Sequence, residues 1–407
     1  METLNAGDTA WVLISTGLVT MMTPALAFFY GGMVRKKNIL STLNLSFITM
    51  GLISLQWVLI GYTLAFGPSI GGLIGALDHL GLNGIGAAPN ADYSTTIPGL
   101  AFAAFQMTFA VITPALITGA FVERVNFKAY LVFALLWATL VYDPLAHSVW
   151  AVGGLLRESG ALDFAGGTVV HIAAGFSALA FAMAIRSRRG YGSVAIEAHN
   201  IPFTVLGAGL LWVGWFGFNA GSALAANGLA VAALVNTNTA AAAAAIVWMF
   251  LAWNDKKPSV LGIVTGAVVG LVAITPASGF VTPLSAMLIG AVAAPISYYA
   301  IKFVHSRQLD ESLDVWACHG MAGVWGALAT GLFATTTVNE LGFDGLFYGN
   351  PNQLVIQLIA TVAAAAFAFV VTFILAKILD AIFGLSVSPQ EEEVGLDISA
   401  HGERAYT

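Results

Sequence analysis

The chain has 407 residues, of which 58% are hydrophobic and only 9% are charged. Soluble domains carry about 25% charged residues, so this composition excludes an ordinary soluble globular protein and predicts a polytopic membrane protein. The formal net charge of -6 says little by itself, and we expect no nucleic-acid partner. Cys318 is the single cysteine, so no disulfide can form within the chain.

Eleven stretches are apolar over a length that spans a bilayer. The first has no basic segment before it and is followed by three basic residues at 35–37, which predicts a retained span rather than a cleaved signal peptide. An odd number of spans places the two termini on opposite sides. The stretches are 10–34, 42–66, 97–121, 127–147, 166–187, 201–223, 229–253, 259–274, 282–301, 314–336 and 353–383.

The basic residues between these stretches predict the orientation. Nearly all of them fall in alternate connections, and only Arg157 falls on the opposite side. By the positive-inside rule the N-terminus lies outside and the C-terminus is cytoplasmic. The outer connections are acidic, with Asp92 and Asp163 among them. Such an exterior either concentrates cations or simply mirrors the inner excess of positive charge.

Short motifs recur in the two halves of the chain. His171-Ile-Ala-Ala-Gly175 in the fifth stretch is echoed by His319-Gly-Met-Ala-Gly323 in the tenth, and Ile112-Thr-Pro-Ala115 by Ile274-Thr-Pro-Ala277. A second unit of five spans must be inverted because five is odd. We therefore predict an all-α membrane fold with a five-plus-five inverted repeat and one extra helix.

These patterns divide the chain into a membrane domain and a tail. The membrane domain is predicted over 1–384, with repeats at about 10–187 and 201–336 and the eleventh helix at 353–383. The longest outer connection, 67–96, is rich in Gly, Asn and Pro and predicts an irregular cap. Residues 385–407 are predicted to form a cytoplasmic regulatory tail, with a disordered solubilising tail as the alternative.

Ionisable rings inside apolar spans are costly and indicate function. No Arg or Lys lies in the middle of a span to receive an anion, and no run of carboxylates in mid-membrane predicts a sodium site. Two histidines alone are a poor zinc site, so we expect no metal and no cofactor. Two neutral imidazoles can each donate and accept one hydrogen bond, which suits a small molecule such as ammonia or water. The alternative is that His171 and His319 only bond helix to helix.

Residues near the outer ends of the spans could bind a cation. Trp150 follows the predicted fourth span and is either an interfacial anchor or a cation–π platform, worth about 0.5–2 kcal/mol. Ser222 could add a hydrogen-bond acceptor. Asp163 could contribute negative field, or it could cap the helix that follows. Asp143, at the outer end of the fourth span, is expected to reach water.

The sequence closely resembles the Amt/MEP/Rh ammonium transporter family, and within it the Amt branch. The resemblance runs from Thr23-Pro-Ala-Leu-Ala-Phe-Phe-Tyr-Gly-Gly32 to the tail. Its strongest signatures are Asp163-Phe-Ala-Gly-Gly-Thr-Val-Val-His171, Gly214-Trp-Phe-Gly-Phe-Asn-Ala-Gly-Ser222 and Asp314-Val-Trp-Ala-Cys-His-Gly320. Trp150 together with Ser222 favours Amt over Rh.

The resemblance implies an eleven-helix, N-outside fold in the cell membrane, assembled as a homotrimer with one pore in each subunit. It also implies roles for individual residues. The external recruitment site would comprise Trp150, Ser222, Phe105 and Asp163. The gate would comprise Phe109 and Phe218, and the pore His171, His319 and Trp215. Tail residues Gly395, Asp397, His401 and Gly402 would serve regulation by PII/GlnK signal proteins.

The expected function is ammonium transport, with methylammonium as an analogue, and not enzymatic catalysis. The outer site would bind ammonium, which loses its proton and crosses as ammonia, whereas potassium has no proton to lose. Whether the proton also crosses stays open. The alternatives are an ammonium sensor or transceptor, although no output domain follows the last span, a Rh-like gas channel, and a membrane enzyme that uses His171, His319 and Asp163.

Overall fold

The computed structural model describes residues 4–406, and these residues form a bundle of apolar helices. Within that range, nine helices are long and apolar enough to cross a membrane, and Val260–Ile274 is a shorter apolar helix. The first five helical segments are α1 (Ala6–Met33), α2 (Ile39–Gln56, a π turn at Trp57–Gly61 and Tyr62–Phe66), α3 (Gly99–Ile117), α4 (Phe127–Trp137, a π turn at Ala138–Tyr142 and Asp143–Trp150) and α5 (a π turn at Gly167–Ile172 and Ala173–Ala184).

The second group of segments runs from residue 201 to the tail. A short helix at Leu155–Glu158 lies between α4 and α5. The remaining segments are α6 (Ile201–Gly221), α7 (Gly228–Asp255), α8 (Val260–Ile274), α9 (Pro283–Ser306), α10 (a π turn at Trp316–Met321 and Ala322–Phe333), α11 (Pro351–Phe383), α12 (Pro389–Val394) and α13 (Leu396–His401).

Polar residues just before the apolar runs start several of these helices. Asn5, Asn126, Asn200 and Thr282 each accept a hydrogen bond from a backbone N–H of the first turn, which satisfies a donor that the helix itself leaves free. One predicted end differs. The fourth stretch was expected to end at 147, but α4 continues to Trp150, so this tryptophan lies on the last helical turn.

The connection between α2 and α3 is more regular than its composition predicted. Strand β1 (Ser69–Ile70) pairs with β2 (Ile74–Gly75), and β3 (Pro89–Asn90) pairs with β4 (Ser94–Pro98), both antiparallel. Gly71 and Gly72 have φ of 61° and 76° and allow the tight turn of the first hairpin. We call the end of the bundle that carries these hairpins the outer end, and the end that carries the tail the inner end.

Small residues let the helices approach closely. The ladder of Gly262, Gly266 and Gly270 in α8 faces α7. A Cβ added at Gly266 would lie 2.5 Å from Trp248 Cβ, and one added at Gly270 would lie 2.5 Å from the Ala240 carbonyl oxygen. The ladder therefore serves helix packing.

The described part of the tail is ordered and docks on the inner end. Ser388 and Glu391 form a capping box at the start of α12. Asp397 Oδ1 accepts a 2.9 Å hydrogen bond from Ser41 N, and Leu396 N donates a 2.9 Å bond to Asn38 Oδ1. The alternative of a disordered tail does not describe this segment.

Charged side chains pair with one another inside the inner end. Arg188 lies 2.9 Å from Glu123 and 2.6 Å from Asp310, and Arg35 lies 2.9 Å from Glu123. Burial raises the pKa of Glu123, but Arg188 and Arg35 more than offset that and hold it below its usual range. Glu392 of the tail joins the cluster, 2.7 Å from Arg186. The tail is thus tied by charge to the connections between the helices.

Candidate functional site

The two histidines face each other in the middle of the bundle. Each lies in a π turn, His171 at the start of α5 and His319 at the start of α10. Their Nδ1 atoms are 3.3 Å apart and their ring centroids 5.4 Å apart, and both side chains are buried. π turns are rare and often occur at functional sites. The two helices cross at Gly175 of α5 and Gly320 of α10. They approach so closely there that a Cβ added at Gly175 would overlap the backbone of Gly320.

A buried carboxylate lies eight residues before each histidine in the chain, and it accepts hydrogen bonds from backbone N–H groups where the π turn starts. Asp163 accepts hydrogen bonds from the N–H groups of residues 166–169, at 2.7–3.2 Å. Glu311 accepts from Val315 N at 2.6 Å and from Trp316 N at 3.0 Å. The matching spacing is a signal of the repeat that sequence reasoning missed, because one acid is Asp and the other Glu.

The environments of these two carboxyls shift their ionisation. Burial raises the pKa of Asp163, against the effect of its four N–H donors. Burial and the nearby Asp314 raise the pKa of Glu311 to about 8, again against its two N–H donors. Because its carboxylate accepts these backbone hydrogen bonds, Asp163 acts as a helix cap in this structure. This is one of the two alternatives that its position in the sequence left open.

A small cavity lies beside the histidine pair. Its volume is about 10 Å³, close to that needed for one water molecule. The lining is apolar apart from the two imidazoles and includes Trp215 and Phe218. Trp215 stacks on His171 at 5.3 Å between centroids, and its Nε1 donates a 2.8 Å bond to Thr275 Oγ1. Trp215 is thereby held in place as a wall of the cavity.

Two phenylalanines separate this cavity from the outer end. Phe109 of α3 and Phe218 of α6 pack with ring centroids 4.2 Å apart and planes inclined by 32°. Phe218 lines the histidine cavity, whereas Phe109 lines a second pocket on the outer side. The pair predicted as a gate therefore stands between the two spaces.

The outer pocket, with a volume of about 170 Å³, contains Trp150 and Ser222. The Trp150 ring meets Phe109 edge-on at 6.1 Å, and its Nε1 donates a 3.0 Å bond to the Asp163 carbonyl oxygen. The Ser222 hydroxyl donates its proton to the Phe218 carbonyl oxygen at 2.8 Å. Its lone pairs remain available, so the pocket offers an aromatic ring and an oxygen acceptor.

Two residues predicted for this pocket have other positions. Phe105 is fully buried, packs edge-on against Phe109 at 5.0 Å and does not line the pocket. The Asp163 carboxylate points to the backbone of α5, as described above, and only its carbonyl oxygen reaches Trp150. Asp163 thus positions the tryptophan and does not itself line the pocket.

The pocket also contains residues that sequence reasoning missed. Asp92, Tyr93 and Leu224 come from loops that fold over it, and Arg157 comes from the helix after α4. Gln106 lines it as well, and its Oε1 is buried with no hydrogen-bond partner among the described residues. An amide inside the third apolar run was a signal for Gln106, whereas the loop residues had none.

Asp143 was expected to reach water, and that prediction is wrong. Its side chain is fully buried between α4 and α2, where Gln56 Nε2 donates a 2.7 Å bond to Oδ2. The π turns at Trp57–Gly61 and Ala138–Tyr142 adjoin the two side chains. The helix continues past Asp143 to Trp150 and does not end there, so Asp143 lies within the packed part of the helix.

The inner end opens into a large cavity of about 710 Å³ that reaches His319. Its lining includes Cys318, His319, Tyr30, Glu311 and Asp314. His319 lines both this cavity and the small one, so it lies at their junction. The chain thus encloses an outer pocket, an aromatic pair, a small apolar cavity with two imidazoles and an inner cavity, in that order.

The described residues contain no group of three or more His, Cys, Asp or Glu side chains that could hold a metal ion.

The predicted tail residues lie at the inner end. Gly395, with φ of 104°, packs on Lys37, and the His401 ring meets Phe127 edge-on at 5.1 Å. Gly402, with φ of 70°, ends α13.

Known proteins resemble this chain over nearly its whole length. The model of the Ammonium Transporter Family matches residues 10–406. Ammonium transporter Amt1 of Archaeoglobus fulgidus is 50% identical over 404 residues, 99% of this chain and 100% of that protein. The ammonium transporter of Bacillus subtilis is 49% identical over 405 residues, 99% of both chains.

Solved structures share the fold. The crystal structure of Candida albicans Mep2 superposes with a TM-score of 0.89 at 34% identity and covers 99% of this chain and 91% of that one. A structure described as Sensor Amt Protein gives 0.90 at 30% identity, with 97% and 98% covered. Together with the apolar helices, these matches identify a multi-pass protein of the cell membrane and a transporter, not an enzyme. The chain belongs to the ammonium transporter family.

Proposed function

We propose that this protein transports ammonium by binding the ion at the outer pocket, removing its proton and conducting ammonia past the two histidines. The observation that carries the proposal is the order of the spaces along the bundle. A pocket suited to a cation is followed by an aromatic pair and then by an apolar cavity of about 10 Å³. That order suits a molecule that enters charged and crosses neutral.

Binding at the outer pocket would rest on Trp150 and Ser222. A cation over the face of a tryptophan gains about 0.5–2 kcal/mol, depending on how far it is desolvated. The Ser222 hydroxyl accepts a hydrogen bond from ammonium because its own proton is donated to Phe218. Both groups can also attract potassium, so the pocket alone does not select for ammonium.

Selection would come from the conduit below Phe109 and Phe218. An unpaired ion in an apolar space costs many kcal/mol, whereas neutral ammonia costs far less. Two neutral imidazoles joined through their Nδ1 atoms share one proton, which leaves one Nε2 as a donor and the other as an acceptor. The buried His171 Nε2 has no partner among the described residues and can bond to passing ammonia. Potassium cannot shed its charge and stays outside.

The arrangement in the membrane is part of the same proposal. We propose eleven spans, including α8 and α10, with the outer end outside the cell and the tail in the cytoplasm. The cavities lie within a single chain, which is compatible with a homotrimer that has one pore in each subunit. Residues 1–384 would form the transport domain, and residues 385–407 a tail that binds a PII/GlnK protein.

Charge movement in proteoliposomes tests the function. Purified full-length protein is reconstituted, and current and internal pH are recorded after a jump in ammonium, methylammonium or potassium. We expect responses to ammonium and methylammonium that saturate with concentration, and none to potassium. Current together with a pH change shows whether the proton crosses as well.

Two variants sharpen this test. Trp150→Leu should raise the ammonium concentration that gives half-maximal transport, by about two- to thirtyfold if the ring contributes as a cation–π partner. The same change at the exposed Trp253, Trp253→Leu, is the matched control, because that residue is 58% exposed and is not among the residues that line the pocket. Equal potassium and ammonium responses would refute the proposal.

A further inference from the structure

The outer pocket contains a positive charge close to its tryptophan. Arg157 lines the pocket together with Trp150 and Ser222. Its Nη1 donates a 2.5 Å hydrogen bond to the Trp150 carbonyl oxygen. An arginine guanidinium stays charged throughout the physiological pH range. A pocket that binds a cation gains no affinity from a second cation, so the position of Arg157 calls for a different explanation.

Neighbouring carboxylates do not pair with Arg157. No carboxylate of the described residues forms an ion pair with it. Glu158 accepts a 3.2 Å bond from Gly153 N, and the Asp163 carboxylate is bound to the backbone of α5. Asp92 lines the pocket and offsets part of the field. The guanidinium therefore acts on the pocket without a direct counter-ion.

We propose that Arg157 sets both the affinity and the rate of transport by repelling the cation bound at Trp150 and Ser222. The inference rests on the proposed function, because the repulsion matters only if a cation occupies that pocket. Repulsion between like charges weakens binding and raises KM. Arg157 therefore raises the ammonium concentration for half-maximal transport above the value that the pocket would have without this charge.

The same repulsion favours loss of the proton. In this step an N–H bond of ammonium breaks, a water molecule in the pocket accepts the proton, and the electron pair stays on ammonia. A nearby positive charge lowers the pKa of bound ammonium because it disfavours the ion and leaves neutral ammonia unaffected. Destabilising the bound ion relative to the reacting state increases the rate of the step that follows.

Arg157→Gln tests the inference, because glutamine removes the charge and retains a donor for the Trp150 carbonyl oxygen. The loss of repulsion should lower KM for ammonium about three- to thirtyfold at low ionic strength. The maximal rate should fall as well. Full-length variants in proteoliposomes are measured over a series of ammonium chloride concentrations. The difference in KM should shrink as an impermeant salt is added, since salt screens exposed charges.

Controls separate charge from structure. Arg157→Lys keeps the charge and should stay close to the wild type in KM and rate. Glu158→Gln removes the adjacent negative charge, and we expect it not to lower KM. An unchanged or higher KM in Arg157→Gln, or a decrease that persists at high salt, overturns the inference, and an unchanged maximal rate overturns its part on proton loss.

The reference variant Trp150→Leu distinguishes failure of this inference from failure of the proposed function. If Trp150→Leu and the wild type share one concentration dependence, the outer pocket does not bind the cation and the proposed function fails. If Trp150→Leu weakens binding and Arg157→Gln changes nothing, only the role of Arg157 is overturned.

Discussion

His171 is the residue at which a charge would test the neutral conduit most directly. Its ring lies in the apolar cavity, 5.3 Å from Trp215 and 5.4 Å from His319 between centroids. We expect His171→Asp to admit potassium, because a carboxylate there provides the attraction for a cation that the apolar lining lacks. The potassium flux into proteoliposomes should rise at least about tenfold, equivalent to about 1.4 kcal/mol of barrier.

A neutral variant, His171→Asn, is the control for the loss of the ring. It should slow ammonium transport and keep potassium out, since it adds a polar amide without charge. Continued exclusion of potassium by His171→Asp, in a variant that still transports ammonium, would contradict the neutral conduit.

Glu311 gives a prediction about pH. The pKa of its carboxyl is about 8 in the folded protein and about 4.3 in an unfolded chain. Folding thus favours the protonated form. Its contribution to stability is complete below the unfolded value and is lost as pH rises through the folded one, by up to about 1.4 kcal/mol per pH unit. Glu311→Gln should flatten the fall in melting temperature between about pH 5 and pH 8.

Thermal unfolding of the detergent-solubilised protein, followed by tryptophan fluorescence over that pH range, measures this effect. The amide oxygen of glutamine can keep one of the two bonds that Val315 N and Trp316 N donate to Glu311, as a protonated carboxyl keeps its carbonyl acceptor. The exposed Glu158→Gln should leave the profile as in the wild type. A Glu311→Gln profile with the wild-type slope would mean that other groups cause the pH dependence.

The sequence could indicate residues of the conduit but not which side chains share a pocket. His171 and His319 stand out because they interrupt apolar runs. Trp150 and Ser222 were candidates from their positions near the outer ends of spans, and the resemblance supplied Phe109 and Phe218. Arg157 stood out only as the single basic residue on the outer side, and its position in the pocket could not be predicted because it depends on the turn after α4. For Asp143 the sequence misled, because hydropathy shows where a span ends but not which side of a helix faces the bundle.

Among the helices, the crossing of α5 and α10 determines how close the histidines lie. A Cβ at Gly175 would overlap the backbone N and Cα of Gly320. We expect Gly175→Ala to push the helices apart one turn from His171, to destabilise the protein by about 1–3 kcal/mol and to slow ammonium transport. Melting temperature and initial rate of uptake in proteoliposomes are the measurements.

Gly209→Ala is the matched control, because Gly209 lies in α6 with no atom within 4 Å of an added Cβ. There the substitution should be neutral or stabilising by up to about 1 kcal/mol, since alanine favours a helix over glycine. Equal losses in both variants would show that the crossing at Gly175 has no special role.

Helices and strands differed in how far the sequence predicted them. Apolar length located the nine helices of the described residues that are long enough to cross a membrane, because a bilayer requires about 20 apolar residues. The π turns that hold His171 and His319 were not predictable, since one extra residue in a turn leaves no periodic signal. The hairpin of Ser69–Ile70 and Ile74–Gly75 was missed for a similar reason: strands of two residues show no alternation.

For the molecule as a whole, the tail is the element whose position the sequence left most open. Its composition suits a disordered segment, yet Glu392 pairs with Arg186 and Asp397 accepts from Ser41 N. These partners lie more than two hundred residues away in the chain. Such contacts become apparent only when the connections between the helices are brought together at the inner end.

Gly395 connects α12 to α13 and gives the prediction for the docked tail. Its φ is 104°, and an added Cβ would lie 2.6 Å from Lys37 Cβ and from the Lys37 carbonyl oxygen. We expect Gly395→Ala to release the tail while the transport domain stays folded. Limited proteolysis should cleave after residue 384 at least several times faster than in the wild type, because docked segments resist proteases.

Gly402→Ala separates backbone strain from the clash with Lys37. Gly402 also has a positive φ, 70°, but no atom lies within 4 Å of an added Cβ. Both variants place an alanine at positive φ, at a cost of about 1–3 kcal/mol, whereas only Gly395→Ala collides with the body of the protein. Proteolysis of Gly402→Ala should therefore stay near the wild-type rate.

If a PII/GlnK protein recognises the docked tail, Gly395→Ala should lose co-purification with it while ammonium uptake continues. A chain truncated after Gly384 should behave in the same way. Retention of the partner by both altered chains would mean that it binds the connections between the helices and not the tail.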